Sequence, residues 1–132
     1  MALNFPDTGE NLSLEMITNK TAPQNLVLRL YQNNITPSDT DTAATYTEAN
    51  FTGYAAITLT GASWNAASAG TITYSAQQTF TCSGASSNSI YGYYVTQAVS
   101  GTLLYSERDA SAPFTIANTG DAVKITPTIS AN

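Results

Sequence analysis

Histidine is absent from the 132 residues, and cysteine occurs once, at Cys82. Without histidine the chain has no histidine-based triad or acid–base group, and it lacks the commonest ligand of zinc. One cysteine makes neither an intrachain disulfide nor a cysteine-rich metal cluster, and no histidine is present to activate it as a nucleophile. Because free cysteine usually behaves as a small apolar residue, we predict that Cys82 lies in the core.

Charged residues are also scarce, at 10% of the chain against about 25% in ordinary soluble domains. The cations are Lys20, Arg29, Arg108 and Lys124. They are too few and too scattered for the basic stripe that binds nucleic acid, so we expect no nucleic-acid partner. Eight tyrosines outnumber them, and protein interfaces are rich in tyrosine and poor in lysine. The surface is therefore either covered by neighbouring subunits or a solvent-exposed one of threonine, serine and asparagine.

Long apolar segments are missing as well. No run approaches the ~20 apolar residues of a membrane span, and the first residues lack the basic and apolar segments of a signal peptide. We therefore expect a soluble protein that is synthesised in a cytoplasm and has no membrane partner. The hydrophobic share of 42% is too high for a disordered chain, and the length suits one domain with its own core.

Period-two alternation of apolar and polar residues dominates from residue 25 onward and predicts strands. About eight strands are predicted, at residues 26–31, 51–59, 71–75, 78–82, 90–96, 102–107, 113–116 and 123–129. Ser100-Gly101 is predicted to be the tight turn of a hairpin, and residues 33–48 are predicted to be a long polar loop. Helical crossovers are absent, so the predicted fold class is all-β: a jelly-roll-like antiparallel β-sandwich in one domain, residues 25–132.

Residues 1–24 are predicted to form an N-terminal arm that contains one short helix. The helix is placed at residues 8–18, because Thr8 can cap it, Leu12 and Met16 share one helical face, and residues 19–23 end it. Residues 12–16 also alternate as a strand would. We expect the helix to pack over an end of its own sandwich. Residues 1–7 are instead expected to form an arm that lies on a neighbouring subunit.

Carboxylates are the remaining candidates for chemistry. Glycosidases need only two of them, and the candidates are Glu48, Glu107, Asp109 and Asp121. Glu107 and Asp109 are explained as simply by a solvated strand end, and no motif identifies a reaction, so we predict a non-enzymatic protein without a cofactor. Asp39 and Asp41, with Glu48 nearby, offer oxygen ligands that suit calcium. Short runs of Asp, Ser and Thr commonly bond the local backbone instead, and we predict no metal site.

Aromatic residues are the most informative side chains. Tyr91, Tyr93 and Tyr94 lie in one predicted strand, so both faces of that strand carry a ring. One face must be core. The other either meets a partner, where tyrosine offers apolar area and a hydroxyl, or pairs with rings of the same chain. The candidate partner-binding residues are Phe5, Tyr31, Tyr54, Tyr91, Tyr93, Tyr94 and Tyr105.

Several segments follow one another in a recognisable order across residues 24–130. They are Leu26-Val-Leu-Arg-Leu-Tyr31, Ile35-Thr-Pro37, Phe51-Thr-Gly-Tyr-Ala55, Thr79-Phe-Thr-Cys82, Tyr91-Gly-Tyr-Tyr94, Gly101-Thr-Leu-Leu-Tyr105, Gly120-Asp121 and Ile125-Thr-Pro-Thr-Ile129. This order resembles the small structural proteins encoded among the head and tail genes of tailed bacteriophages and cyanophages. Such proteins are often capsid decoration, or cement, proteins.

The resemblance implies a homotrimeric, jelly-roll-like virion protein on the capsid surface, made in the host cytoplasm. Its partners would be the major capsid protein and copies of itself. Its function would be to stabilise a phage head by binding across major capsid subunits. The alternative is a receptor- or glycan-binding module of a phage tail or fibre, with a concave aromatic patch. A glycan-cleaving enzyme is a third hypothesis, in which Glu48→Gln or Glu107→Gln would abolish hydrolysis.

Overall fold

The computed structural model describes residues 3–131, which form one α-helix followed by ten β-strands. Their bounds are α1 Asp7–Ile17, β1 Leu26–Tyr31, β2 Ile57–Leu59, β3 Thr71–Thr73, β4 Gln78–Thr81, β5 Asn88–Ile90, β6 Gly92–Gln97, β7 Leu103–Arg108, β8 Phe114–Ile116, β9 Ala122–Ile125 and β10 Thr128–Ser130. All strand pairs among them are antiparallel. This confirms the predicted all-β antiparallel class with a short N-terminal helix.

Four strands form the main sheet, in the order β2-β1-β6-β7. The central strands β1 and β6 pair over their whole length, from Leu26 opposite Gln97 to Tyr31 opposite Gly92. The predicted hairpin joins β6 to β7, and Gly101 in its turn has a φ of 73°, which glycine adopts without steric cost. Every residue of β6 is buried, because other parts of the same chain cover both faces of the sheet.

The inner face of the main sheet packs against three two-stranded sheets, which pair β3 with β10, β4 with β9 and β5 with β8. Phe80 of β4, Ile116 of β8 and Val123 of β9 share one core cluster with the main sheet. The fold is therefore a sandwich-like arrangement around one main core cluster, and a jelly-roll strand order stays a prediction. Cys82 is completely buried in the same cluster, which confirms its predicted place in the core.

The outer face of the main sheet is covered by the segment 32–48, of which the sequence predicts residues 33–48 to be a polar loop. Tyr46 of this segment packs directly on the sheet. The Tyr46 ring stacks on Tyr94 and lies against Tyr31, with ring centroids 4.9 Å apart in both pairs. Its hydroxyl donates to Asp41 Oδ2 at 2.6 Å and lies 2.8 Å from Ser106 Oγ. The loop is therefore an ordered cover held by buried hydrogen bonds.

Helix α1 lies against β7, at the edge of the main sheet. The approach is close because Gly9 has no side chain: a Cβ there would overlap the carbonyl oxygen of Leu104. Leu12 of the helix is buried in the core cluster. Just before the helix, Asn4 and Ser106 form an antiparallel bridge, with N···O distances of 2.8 and 2.9 Å. The helix therefore packs on its own chain.

The described part of the predicted N-terminal arm also lies on its own chain. Besides the bridge at Asn4, the Phe5 ring packs against Tyr105 with centroids 5.5 Å apart. Residues 3–7 therefore do not extend away as an arm, since apolar contacts and backbone hydrogen bonds are available at the edge of β7. Residues 1 and 2 of that prediction lie outside the described residues.

The strand count differs from eight because two predicted strands are each divided. β5 and β6 are separated at Tyr91, where the chain leaves β8 and joins β1. β9 ends at Ile125 and β10 begins at Thr128. Pro127 lies between them and has no N–H to continue a ladder of backbone hydrogen bonds. Only β2 forms within the predicted strand 51–59. Gly53 in this segment has a φ of 88°, and a Cβ there would lie 2.5 Å from Ser83 Oγ, so the chain turns here and approaches Ser83 closely.

Candidate functional site

The structure buries four of the seven aromatic residues that we predicted to bind a partner. Tyr31 and Tyr105 have no exposed surface, and Tyr93 and Tyr94 are 9% and 4% exposed. They contact rings of the same chain: Tyr94 stacks on Tyr46, and Tyr93 meets Tyr105 edge-on at 6.2 Å. These four rings follow the intramolecular interpretation of the tyrosine pattern, and Tyr93 also lines an open cleft.

The other three predicted residues, Phe5, Tyr54 and Tyr91, are half-buried. The Tyr54 hydroxyl donates to Glu48 Oε2 at 2.8 Å. The guanidinium group of Arg108 lies over the Tyr91 ring, 5.1 Å from its centroid. Each ring therefore has an intramolecular contact as well as some exposed surface, and partner binding by these three stays a prediction.

Burial raises the pKa of the tyrosines in and around the main sheet. It is the largest cause for Tyr31 and Tyr94, whose pKa rises to about 12 in each case. The pKa of Tyr46 is also raised, first by burial and then by its hydrogen bond to Asp41. The hydroxyls of Tyr31 and Tyr105 are buried without a hydrogen-bond partner among the described residues. These phenols therefore stay neutral at physiological pH.

The four candidate carboxylates do not lie together. Glu48 forms an ion pair with Arg29, whose Nη1 lies 3.0 Å from Oε2. Asp121 accepts hydrogen bonds from two backbone N–H groups of the preceding turn, and these hold the pKa of its carboxyl low. Glu107 and Asp109 do line one cleft. Sequence reasoning therefore identified two residues of a shared cavity among its four candidates.

Two of the three acidic residues considered for calcium have other partners. Asp41 is buried, and its oxygens accept hydrogen bonds from the backbone N–H and hydroxyl of Ser38 and from the Tyr46 hydroxyl. Glu48 forms an ion pair with Arg29 and does not join Asp39 in a group of metal ligands. Within residues 3–131, no group of three or more acidic, histidine or cysteine side chains could hold a metal ion.

One cavity of the described chain is an open cleft of about 570 Å³, within the size range of ligand-binding sites. We call it the acidic cleft. It is lined by Ile90, Gly92, Tyr93, Glu107, Asp109, Ala110, Phe114 and the residues 122–126. Its apolar lining includes Ile90, Phe114 and Val123. Glu107 Oε1 accepts a hydrogen bond from the Tyr93 hydroxyl at 3.0 Å, which orients the carboxylate.

Unsatisfied carboxylate oxygens give the acidic cleft its chemical character. No described residue donates to Glu107 Oε2 or Asp109 Oδ2, whereas Asp109 Oδ1 accepts from the Ser111 backbone N–H at 2.7 Å. Lys124 also lines the cleft, so the charged residues of the lining are one cation and two acids. The cleft is therefore suited to a ligand that brings N–H, O–H or cationic groups together with apolar surface.

A smaller depression of about 310 Å³ lies beside α1, and we call it the helix groove. It is lined by Phe5, Ser13, Met16, Pro23, Gln24, Leu26, Leu59, Gly61, Trp64, Leu104 and Ile129. Next to it, α1 exposes Leu14 to 61% and Ile17 to 80%. Val99, in the β6–β7 turn, is the other strongly exposed large apolar residue of the described chain.

Sequence reasoning missed the apolar surface of α1 and most of the acidic cleft. Leu14 and Ile17 lie three residues apart on the predicted helix, so their common side was visible in the sequence. Phe114 and Lys124 carried no such signal, because only the pairing of distant strands brings them close to Glu107.

No protein-family model matches this chain, and a search of curated proteins finds no match either. No helix among residues 3–131 is long and apolar enough to cross a membrane.

Proposed function

We propose that this protein is a non-catalytic structural subunit of a phage particle, a capsid decoration subunit that binds across major capsid subunits and stabilises the head. The observation that carries the proposal is the apolar surface of α1, where Leu14 and Ile17 lie exposed beside the helix groove. The resemblance of the strand segments to small virion proteins supplies the identity of the assembly.

The apolar surface of α1 is unusual for a helix that only covers its own domain. Such a helix normally presents polar residues on its outer side, whereas contiguous exposed apolar residues mark interaction sites. Burying Leu14 and Ile17 against a neighbour contributes about 1.5–3 kcal/mol each. Many copies on one shell would multiply that contribution, which is how a small subunit stabilises a closed particle.

A second copy of this chain is the proposed occupant of the helix groove. We propose that Leu14 and Ile17 of one copy enter the groove of the next copy, in a head-to-tail arrangement. Head-to-tail contacts close into rings when the rotation permits, and a homotrimer is the ring that the resemblance implies. The scarcity of charge, 10% of residues, lowers the desolvation cost of such contacts.

Addition of the purified protein to capsid shells that lack it tests the proposed function. We expect it to sediment with the shells and to raise their melting temperature. The variant Leu14→Ser/Ile17→Ser should lose most of both effects, because it removes the apolar surface, while Val99→Ser serves as the matched control and should retain them. Failure of the wild-type protein to bind or stabilise shells would refute decoration.

The receptor- or glycan-binding module of a tail or fibre remains the second candidate. It is favoured by the acidic cleft, where the Phe114 ring lies with Glu107 and Asp109, since sugars bind aromatic faces and carboxylate acceptors. A glycan array distinguishes it: saturable binding that Phe114→Ala abolishes would support this candidate. Hydrolysis of a bound glycan that Glu107→Gln abolishes would instead support the enzyme hypothesis.

A further inference from the structure

One wall of the acidic cleft is formed by five consecutive residues, 122–126. Side chains alternate between the two faces of a strand, so a cavity that lies on one face is lined by every second residue. A wall of consecutive residues means that the cleft runs along the edge of β9. The other edge of β9 pairs with β4, from Gln78 opposite Ile125 to Thr81 opposite Ala122.

The edge of β9 that faces the cleft carries unpaired backbone groups. In an antiparallel pair, alternate residues direct N–H and C=O to the partner, and the residues between them direct theirs to the opposite edge. Apart from the pairing with β4, no described residue hydrogen-bonds to the backbone of the four residues of β9. A row of free donors and acceptors along a strand is a template for one more strand.

The rest of the lining suits the side chains of such an added strand. Phe114 and Ile125, which are both half-buried, offer apolar surface to the side chains that point inward. Glu107 Oε2 and Asp109 Oδ2 receive no hydrogen bond from described residues, so they favour a cationic side chain. At about 3.4 Å per residue, the four residues of β9 span a segment of about four to six residues.

We infer that the acidic cleft binds an extended polypeptide segment of a partner, which adds as a strand to the free edge of β9 and places a lysine or arginine against Glu107 and Asp109. The inference rests on the proposed function, because it names how a capsid subunit holds the decoration subunit. It assigns the two surfaces different roles: α1 and the helix groove join copies of this chain, and the cleft takes a segment of the shell.

Titration of isotope-labelled protein with capped synthetic peptides, followed by amide NMR, tests the inference. The probe is acetyl-Thr-Val-Lys-Val-Thr-Gly-amide. We expect saturable shifts at the amides of residues 122–126 and slower hydrogen exchange there, since these amides gain partners. A peptide with glutamate in place of lysine should bind about tenfold more weakly. A third peptide, N-methylated at alternate residues, should not bind, because it lacks the donors of a strand.

The variant Glu107→Gln/Asp109→Asn is the matched control for charge. Glu107 is half-buried and Asp109 is exposed, so we expect the fold to tolerate both substitutions. The variant should bind the lysine and glutamate peptides with similar affinity. Three results would overturn the inference: no shift at millimolar peptide, equal binding of the N-methylated peptide, or shifts at residues 122–126 caused by chito- or malto-oligosaccharides while all the peptides fail. The last would assign the cleft to glycans.

Shell binding separates this inference from the proposed function. If wild-type protein adds to shells and Glu107→Gln/Asp109→Asn adds with the same affinity, the decoration function stands and the cleft inference is wrong. If the peptides bind at β9 but wild-type protein does not add to shells, the cleft binds an extended segment and the decoration function is wrong.

Discussion

Replacing Tyr46 by phenylalanine removes one oxygen from the cover of the main sheet and keeps the ring stack. In the wild-type protein, that hydroxyl donates to Asp41 Oδ2 at 2.6 Å and lies 2.8 Å from Ser106 Oγ. Both partners are buried, at 7% and 0% exposure. The variant therefore leaves a buried carboxylate and a buried hydroxyl each short of a partner.

The magnitude follows from those two bonds. A hydrogen bond to a charged group contributes about 1.5–3 kcal/mol, and a neutral one about 1 kcal/mol. Asp41 keeps its bonds from Ser38, so the carboxylate is weakened rather than isolated. We expect Tyr46→Phe to lower the free energy of unfolding by about 3 kcal/mol.

Chemical denaturation followed by the fluorescence of Trp64, the one tryptophan, measures this loss. Tyr91→Phe is the matched control, because the Tyr91 hydroxyl forms no hydrogen bond with described residues and its ring stays under Arg108. It should change stability by less than about 0.5 kcal/mol. A Tyr46→Phe value equally small would refute the account of the segment 32–48 as a hydrogen-bonded cover.

Three further predictions concern the same sheet. Gly92→Ala should cost about 3 kcal/mol or more, because a Cβ would overlap the Glu107 carbonyl oxygen and lie 2.8 Å from the Tyr31 hydroxyl; Gly61→Ala, with open space around it, is the control in the same denaturation assay. Tyr105→Phe should leave stability unchanged or raise it, since it removes a buried hydroxyl without a partner; a loss above about 1 kcal/mol would contradict this. Burial raises the pKa of Tyr31 and Tyr94 from 10.0 to about 12, so their stabilisation is complete below pH 10 and is lost as pH rises towards 12, by about 1.4 kcal/mol per pH unit for each tyrosine. Alkaline titration should show one step of tyrosinate absorbance that coincides with unfolding, and ionisation of all eight tyrosines near pH 10 with the fold intact would be the opposite result.

The local elements of the fold were predictable from the sequence. The spacing of Leu12 and Met16 placed α1 to within one residue at each end, and alternation placed β1 at its observed bounds. Local chemistry also explains why the predicted strand 123–129 is divided, since Pro127 cannot continue a ladder. These successes share a cause: neighbouring residues determine the periodicity that each element needs.

The surfaces were not predictable to the same extent, because distant pairing creates them. In the sequence, Tyr46 belongs to a predicted polar loop. Its role in covering the sheet depends on a hydrogen bond with Ser106, which lies 60 residues later. The prediction that Tyr31 and Tyr94 bind a partner did not take this cover into account, and the cover buries both rings. The acidic cleft likewise forms only where β9 comes to lie near Glu107 and Phe114.

The molecular mass in solution, measured by light scattering, tests most directly the central claim that other protein subunits cover the apolar surface of α1. The account predicts a particle of three times the 13.9 kDa of one chain, and a monomer for Leu14→Ser/Ile17→Ser with an unchanged circular dichroism spectrum. A wild-type protein that stays monomeric at every concentration, or a variant that still forms trimers, would contradict it.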